Sequence, residues 1–255
     1  MRIDNFLTEK GFFVSRNKAK ESIERGEVFL NGKVILKSSY SVIEDDFDKI
    51  TVQHKVSDFV SIGGFKLEKA LEDFSFDVKD LICADIGAST GGFTDCLIKH
   101  GAKKVYAVDL NDSLLSEKLK INSVVPVVKN ARLLTEHDFD EKIDLITADL
   151  SFISETLVLP VFSNILQHGK HAIILIKPQF ESDRKIKYKN GIVDDDAAVL
   201  SAIKKIISCA AENGLQPIKI TDAPKKKGKN REYLVLLEKS ENLFDLENFY
   251  KFIKL

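Results

Sequence analysis

The residues Asp85-Ile86-Gly87-Ala88-Ser89-Thr90-Gly91-Gly92-Phe93 determine the fold class of this 255-residue chain. The apolar residues 81–84 before them predict a buried parallel strand, and residues 94–99 after them predict the first turns of a helix. A strand that turns over glycines into a helix directs main-chain N–H groups toward a ligand. The pattern therefore predicts an α/β fold with a small-molecule pocket at this turn.

The spacing of the glycines narrows the choice of ligand. The dinucleotide fingerprint G-x-G-x-x-G is incomplete here, because its second glycine is missing. That departure argues against a pyrophosphate and favours a nucleoside cofactor without phosphates, for which S-adenosylmethionine is the obvious candidate. The residues expected to bind it are consecutive: Gly87, Ala88, Ser89, Thr90, Gly91 and Gly92.

Strand and helix patterns alternate from about residue 80 onward. Strands are predicted at Leu81–Asp85, Lys104–Asp109, Val124–Val128, Leu145–Asp149, Ala172–Lys177, Gln216–Thr221 and Tyr233–Leu237. Helices are predicted at Phe93–His100, Ser113–Lys118, Ser154–Gln167 and Asp196–Asn213, with a lead-in helix at Gly63–Phe74 and a short amphipathic one within Asn242–Leu255. This order predicts a doubly wound, Rossmann-like parallel sheet whose last strand is inserted antiparallel.

The N-terminal region contains shorter predicted elements, which indicate a small α+β module. Helices are expected over residues 1–11 and 16–25, the second with Ser15 as its N-cap. Asn31-Gly32 between two apolar runs predicts a type I′ hairpin, and one more strand is expected at residues 49–53. We divide the chain into a module at 1–56, a linker at 57–63 and a main domain at 64–255.

Bulk properties exclude several classes of protein. The net charge is −1, but Lys and Arg outnumber Asp and Glu in residues 1–40 and 215–233, and local basic patches can grip a polyanion. The three cysteines are scattered and no C-x-x-C occurs, so we expect no metal site, no disulfide framework and a cytoplasmic protein. The N-terminus lacks the apolar run of a signal peptide, and no run of about 18 apolar residues predicts a membrane span.

Polar residues follow three consecutive predicted strands. Asp109 could accept both hydroxyls of a ribose, Asn130 could meet an adenine ring, and Asp149 ends the next strand. In an open α/β sheet, ligands bind beyond the carboxyl ends of the strands, where these side chains would meet. Each of them alone could equally be a turn former or a helix cap. Together with the glycine loop they predict the cofactor pocket.

A second set lies far apart in sequence: Lys66, Asp149, Lys177 and Glu232. Lys177 ends a very apolar strand, which places it at the rim of the predicted pocket. Burial and a second nearby ammonium favour the neutral form of a lysine, and a neutral lysine can accept a proton from an alcohol. The alternative is that both lysines are ordinary solvated residues.

Basic residues of the N-terminal module form a third set. The candidates for contacting the phosphate backbone of folded RNA are Arg2, Arg16, Lys18, Lys20, Arg25 and Lys33. The alternative is a solvated helix face.

These residues resemble a known family. The N-terminal matches to the alpha-L RNA-binding module are Arg2-Ile3-Asp4, Leu7, residues 15–19, Ile23, Gly26-Glu27-Val28 and Val34 after Asn31-Gly32-Lys33. The rest resembles an FtsJ-type methyltransferase. The order of these two domains resembles that of the TlyA family of ribosomal RNA 2′-O-methyltransferases. Three segments match that family: Asp149-Leu150-Ser151-Phe152-Ile153-Ser154, Lys177-Pro178-Gln179-Phe180-Glu181 and Gly228-Lys229-Asn230-Arg231-Glu232-Tyr233.

The resemblance implies a function and a site. It implies a catalytic tetrad of Lys66, Asp149, Lys177 and Glu232, with S-adenosylmethionine at the glycine loop and Asp109 on its ribose. It implies methylation of the 2′-oxygen of cytidine in large-subunit and sometimes small-subunit ribosomal RNA. We expect ribosomal subunits as the partner, no membrane and a monomer.

Rival functions come from other classes. The chain could be a non-catalytic RNA-binding factor of ribosome assembly. A pseudouridine synthase could share the N-terminal module, although the glycine loop speaks against it. Some relatives carry a haemolysin label, but no segment of this sequence supports pore formation.

Overall fold

The computed structural model describes residues 1–13, 15–24, 26–52, 59–181, 191–224, 228–242, 245–251 and 253. The chain forms two compact units, Met1–Asp58 and Phe59–Leu255.

The first unit contains two helices and three short strands. They are α1 (Ile3–Glu9), α2 (Arg16–Glu24), β1 (Val28–Leu30), β2 (Lys33–Val34) and β3 (Ile50–Val52), and a 3₁₀ turn spans Glu44–Lys49. The antiparallel sheet has the order β2-β1-β3. Asn31 and Gly32 both have positive φ, 50° and 74°, as a type I′ turn requires, which confirms the predicted hairpin. The Ser15 hydroxyl accepts the Lys18 N–H at 3.3 Å, which confirms the N-cap of α2.

Apolar side chains at helical spacing build the core of this unit. Ile3, Phe6 and Leu7 of α1 and Ala19 and Ile23 of α2 are almost fully buried, as their spacing predicts. They pack with residues of β1 and β3 in one cluster. This core fixes the two helices against the hairpin.

The second unit is a seven-stranded sheet with helices on both faces. Its strands are β4 (Ile82–Ile86), β5 (Lys104–Asp109), β6 (Val124–Val128), β7 (Leu145–Ala148), β8 (His171–Ile176), β9 (Leu215–Asp222) and β10 (Tyr233–Lys239). Its helices are α3 (Gly63–Phe74), α4 (Gly92–Lys99), α5 (Leu159–Ile165), α6 (Pro178–Glu181), α7 (Asp196–Glu212) and α8 (Leu246–Tyr250). The strand order is β6-β5-β4-β7-β8-β10-β9, parallel except for β10, which runs antiparallel to both of its neighbours. The predicted fold class is confirmed, including the antiparallel insertion.

Two predicted helices differ from the structure. Residues 113–118 do not form one helix but contribute to two 3₁₀ turns, Asp112–Leu114 and Glu117–Leu119. The predicted helix at 154–167 divides into a 3₁₀ turn, Glu155–Leu157, and α5. The division has a local cause, because Pro160 has no N–H to donate and is favoured only in the first turn of a helix.

Candidate active site

The glycine loop connects β4 to α4 and is fastened to the neighbouring strand. The N–H groups of Gly87 and Ala88 both donate to the carbonyl oxygen of Val108, at 2.9 and 3.0 Å. Gly87 and Gly91 have φ values of 83° and 89°, a region that glycine adopts without steric cost. The glycine positions are therefore required by the turn itself.

Neighbouring side chains pack closely around the last two glycines of the loop. A Cβ on Gly91 would lie 2.2 Å from Leu119 Cδ1 and 2.8 Å from Leu115 Cδ1. A Cβ on Gly92 would lie 2.2 Å from Ser61 Oγ and 3.1 Å from the main chain of Gly63. The loop is thus packed from two sides.

A buried carboxyl group, Asp85, holds the loop from below. It accepts hydrogen bonds from the N–H and hydroxyl of Thr94, at 2.9 and 2.6 Å, and from the hydroxyl of Thr147 at 3.1 Å. Burial raises the pKa of Asp85 to about 6, and the threonine hydrogen bonds oppose that rise. Asp85 therefore joins β4, α4 and β7 at the base of the pocket.

Asp109 and Asn130 lie where the sequence predicts, at the ends of β5 and β6. Asp109 Oδ2 accepts the Ser89 N–H at 2.8 Å, and its Oδ1 accepts the Leu110 N–H at 2.7 Å. Asn130 Oδ1 accepts the Arg132 N–H at 3.0 Å and so caps a 3₁₀ turn. Asp109 therefore accepts hydrogen bonds from the main chain of two loops, and Asn130 caps a turn. Both also lie at the sheet edge where a ligand of this fold binds.

The four residues of the predicted tetrad come together in one chain of ion pairs. Lys66 Nζ lies 2.6 Å from Glu232 Oε2 and 3.7 Å from Asp149 Oδ2. Asp149 Oδ1 in turn lies 2.5 Å from Lys177 Nζ. Lys177 is buried, at 7% exposure, whereas the other three side chains are 17–22% exposed, so solvent reaches only one end of the chain of charges.

The sheet explains why these distant residues meet. Asp149 and Lys177 directly follow the parallel neighbours β7 and β8, and Glu232 directly precedes the antiparallel β10, so all three lie at the same sheet edge. Lys66 lies in the first turn of α3, which packs against β9 and β10. Residues scattered over the sequence thus converge beside the glycine loop.

Three side chains at this edge were not singled out from the sequence. Ser151 accepts a hydrogen bond from Lys177 Nζ at 2.9 Å. Phe152 is 84% exposed and has a φ of 69°, which is rare for a residue with a large side chain. Its ring centroid lies 5.4 Å from that of Phe180, whose ring lies 5.7 Å from Lys177 Nζ. The exposed ring of Phe152 and the half-buried ring of Phe180 therefore adjoin the tetrad. Their sequence signals were the two motifs that contain Asp149 and Lys177.

The predicted RNA-binding residues of the first unit have different surroundings. Arg2 and Arg16 both bind the carboxylate of the fully buried Asp4, at 3.0 and 3.2 Å, and keep about half of their side chains exposed. Burial alone would raise the pKa of Asp4, but the hydrogen bonds from the two arginines lower it below its usual value. The two guanidinium groups are thereby held side by side at the surface.

The remaining basic candidates differ in how exposed their side chains are. Lys18 and Lys20 are half-buried on α2, and Lys33 is exposed in the hairpin. Arg25 lies outside the described residues. Lysines 225–227 of the second basic region lie outside them as well.

The part of the chain that the structure describes has neither a helix able to cross a membrane nor a cluster of candidate metal ligands. No helix among those residues is long and apolar enough to cross a membrane. Within the same described ranges, no group of three or more His, Cys, Asp or Glu side chains has a geometry that could hold a metal ion.

Two family matches cover most of the chain. The FtsJ-like methyltransferase family matches residues 59–239, and the S4 domain family matches residues 1–48. The first match contains all four residues of the ion-pair chain and the glycine loop.

Individual relatives match over nearly their whole length. Hemolysin A of Brachyspira hyodysenteriae is 40% identical over 92% of this chain and 98% of that protein. The 23S rRNA (cytidine-2′-O)-methyltransferase TlyA of Campylobacter jejuni is 36% identical over 91% of this chain and 97% of that protein. A solved structure from Streptococcus thermophilus that carries a hemolysin name is 34% identical, covers 98% of this chain and 93% of its own, and has a TM-score of 0.77.

Proposed function

This chain belongs to the FtsJ-like methyltransferase family and carries an S4 domain, and we propose that it methylates the ribose 2′-hydroxyl of cytidine in ribosomal RNA. The observation that carries the proposal is the chain of ion pairs from Glu232 through Lys66 and Asp149 to Lys177. It presents a lysine nitrogen at the sheet edge where a ligand of this fold binds. Large-subunit RNA is the principal substrate, with small-subunit RNA as a second one.

The residues of the pocket suit S-adenosylmethionine. Asp109 uses one lone pair of each carboxylate oxygen on a main-chain N–H, which leaves each oxygen able to accept a ribose hydroxyl. The adjacent Leu110 is 70% exposed and offers an apolar face to a purine ring. We assign Gly87–Gly92, Asp109, Asn130 and Asp149 to this cofactor, which supplies an activated methyl group when bound.

Lys177 is the proposed base. In its neutral form, two N–H bonds can serve Asp149 and Ser151, and the lone pair can take the proton of the ribose hydroxyl. The O–H bond breaks as the third N–H bond forms. The resulting ammonium then lies beside the oxygen and stabilises its negative charge during transfer.

Lys66 and the two carboxylates hold Lys177 in place. Asp149 is shared by both lysines, and Glu232 binds Lys66 from the other side. Two ammonium groups and two carboxylates balance when all are charged, and the carboxylates fix the positions of both lysine nitrogens. Glu232 is a positioning residue in this scheme. Asp149 positions both lysines and also contacts the cofactor, and Lys66 lies where it could contact the nucleotide.

The target nucleotide has to leave its stack for its 2′-oxygen to reach the methyl group. The exposed ring of Phe152, beside Phe180, offers a face on which an extruded base can stack. The S4 domain docks on folded RNA through its basic residues. Because one chain supplies the whole tetrad, a monomer is sufficient, and a ribosomal substrate places the reaction in the cytoplasm.

A binding-only role in ribosome assembly is the alternative class. Four ionisable groups joined by ion pairs at a ligand-binding edge favour an enzyme over a binding factor, because clusters of interacting charges gather at catalytic sites. The experiment is to incubate the full chain with tritium-labelled S-adenosylmethionine and purified ribosomal subunits. We expect label in ribosomal RNA. Tight binding to a subunit with no label in any subunit or precursor would favour the assembly factor.

A further inference from the structure

Two buried carboxyl groups next to the tetrad have no role in the scheme above. Glu155 and Glu181 are 2% and 3% exposed. Glu155 Oε2 is buried without a hydrogen-bond partner. Buried polar groups are costly unless they are paired. Glu181 is hydrogen-bonded through both oxygens and lies 3.7 Å from Lys205 Nζ, whereas one oxygen of Glu155 has no partner.

Glu181 joins two segments that each begin at a tetrad residue. Its Oε1 accepts the main-chain N–H of Glu155 at 2.8 Å, and its Oε2 accepts the hydroxyl of Ser154. Glu181 ends α6, four residues after Lys177, and Ser154 follows Asp149 by five residues. Its carboxylate therefore fastens the segment after Lys177 to the segment after Asp149.

Lys177 joins the same two segments at their N-terminal ends. Its Nζ contacts Asp149 Oδ1 at 2.5 Å and donates to Ser151 Oγ at 2.9 Å. The two segments are thus joined at their starts by the lysine and at their ends by Glu181. A shift at the Glu181 end would move Ser151 and Asp149 relative to the lysine nitrogen.

Glu155 supports this arrangement from inside. Burial, with the Glu181 carboxylate second, raises the pKa of Glu155 well above its usual value, while Lys177 opposes the rise. The main-chain N–H of Leu150 also opposes the rise, because it favours the charged carboxylate. A neutral Glu155 therefore adds no second negative charge beside Glu181.

We propose that Glu181 is a positioning residue for methyl transfer, which sets the distance between Lys177 and the Asp149–Ser151 segment. The inference rests on the proposed function and adds to it a residue that touches neither cofactor nor RNA. It predicts that Glu181 acts on the chemical step, because the lysine nitrogen has to lie within hydrogen-bond reach of the reacting oxygen. Substrate binding should depend on it little.

The test compares Glu181→Ala and Glu181→Gln in the full chain. For Glu181→Ala, we expect kcat to fall by about 10-fold to 100-fold, with KM for ribosomal subunits changed less than about twofold. Glu181→Gln keeps an acceptor for the Glu155 N–H and a group for the Ser154 hydroxyl, so it should recover part of the rate. The exposed Glu212→Ala on α7 is the matched control and should turn over like the wild type.

Ser154→Ala makes the test independent of the fate of Glu181→Ala. It removes one donor to Glu181, and we expect kcat to fall by about threefold or more at unchanged KM. Thermal unfolding and calorimetry with S-adenosylmethionine identify any variant that has not folded. A wild-type kcat in Glu181→Ala would overturn the inference. If Glu181→Ala does not fold, a wild-type kcat in both Glu181→Gln and Ser154→Ala would overturn it. An inactive wild type would instead refute the proposed function.

Discussion

The Nζ atom of Lys177 contacts two side chains, and neither of them belongs to the glycine loop. It contacts Asp149 and Ser151 at the carboxyl end of β8, whereas the glycine loop is held by Val108 and by the side chain of Asp109. Chemistry and cofactor binding should therefore be separable by substitution. Such a separation would distinguish a catalytic lysine from one that only supports the fold.

We expect Lys177→Ala to lower the methylation rate by about 10²-fold to 10⁴-fold, the usual contribution of a general base. The affinity for S-adenosylmethionine, measured by calorimetry, should stay within about twofold, because the loop and Asp109 are untouched and Asp149 keeps its ion pair with Lys66. Lys170→Ala is the matched control, since Lys170 precedes the opposite end of the same strand and pairs with Asp144 at 2.7 Å. Full activity of Lys177→Ala would remove this lysine from the mechanism.

Asp85 gives a second residue-level prediction, through the pH dependence of stability. Its pKa in the folded protein is about 6, mainly through burial, against 3.8 for an exposed aspartate. Between these values the folded state binds more protons than the unfolded state, so stability falls as pH rises. The loss should amount to about 3 kcal/mol by pH 7.

Asp85→Asn removes this titration while leaving an acceptor for Thr94. The free energy of unfolding, measured in guanidinium chloride from pH 4 to pH 7, should fall with pH more steeply in the wild type than in the variant. Other titrating groups cancel in the difference between the two curves. Parallel curves would show that Asp85 has an ordinary pKa in the folded protein.

Among the structural elements, the turn from β4 into α4 depends on glycine for two separate reasons. Gly91 needs a positive φ, and a Cβ there would also force the buried side chains of Leu115 and Leu119 to shift. Gly169 has a similar φ of 75° but open space around it. The pair therefore separates backbone strain from crowding.

We expect Gly91→Ala to lower the free energy of unfolding by about 1–3 kcal/mol more than Gly169→Ala, because only the first adds overpacking. Gly91→Ala should also weaken S-adenosylmethionine binding, since the loop has to shift to admit the methyl group. Chemical unfolding and calorimetry on both variants measure these effects. Equal destabilisation by the two substitutions would mean that the loop yields freely to the new side chain.

The elements also show how far sequence patterns reach. The apolar strand β8 and the helix α3 were predictable because burial and helical spacing leave a direct mark on residue type. Residues 113–118 do not form the predicted helix, because the backbone makes two 3₁₀ turns, with Leu115 buried between them and Leu119 buried at the end of the second. Such short turns are decided by tertiary packing rather than by local propensity.

Some residues of the site could be predicted from the sequence and others could not. Lys66, Asp149, Lys177 and Glu232 were selected from motifs, and the sheet topology brings them together. Motifs gave no reason to separate Glu181 from its neighbours, because its role depends on the distance between two segments remote in sequence. The positive φ of Phe152 likewise has no marker in the residue itself.

For the molecule as a whole, the proposed function needs an RNA-binding unit and a catalytic unit in one chain. Arg16 is a poor probe of the first, because replacing it also leaves the buried Asp4 with one guanidinium fewer. Lys20 and Lys33 avoid that complication, since the Asp4 ion pairs are made by Arg2 and Arg16. Neutralising these two lysines probes the RNA-binding role with less risk to the fold.

We expect Lys20→Gln with Lys33→Gln to weaken RNA binding and to reduce the salt dependence of log K by up to about 2, with each lysine that binds a phosphate accounting for about one unit. The affinity for S-adenosylmethionine should stay the same. Filter binding to ribosomal RNA at several salt concentrations measures the slope. Lys79→Gln with Lys142→Gln is the matched control, because both lysines are exposed and precede β4 and β7, at the sheet edge away from the tetrad. An unchanged slope in the first pair would remove these lysines from the RNA interface.

Alkaline hydrolysis of the labelled RNA distinguishes methyl transfer to a ribose oxygen from methyl transfer to a base. A 2′-O-methyl group blocks alkaline cleavage of the adjoining phosphodiester, so tritium transferred from S-adenosylmethionine should appear in an alkali-stable dinucleotide that begins with cytidine. We predict this product from ribosomal subunits treated with the wild-type protein, and its loss with Lys177→Ala. Label that runs with single nucleotides after hydrolysis would place the methyl group on a base and contradict the proposed function.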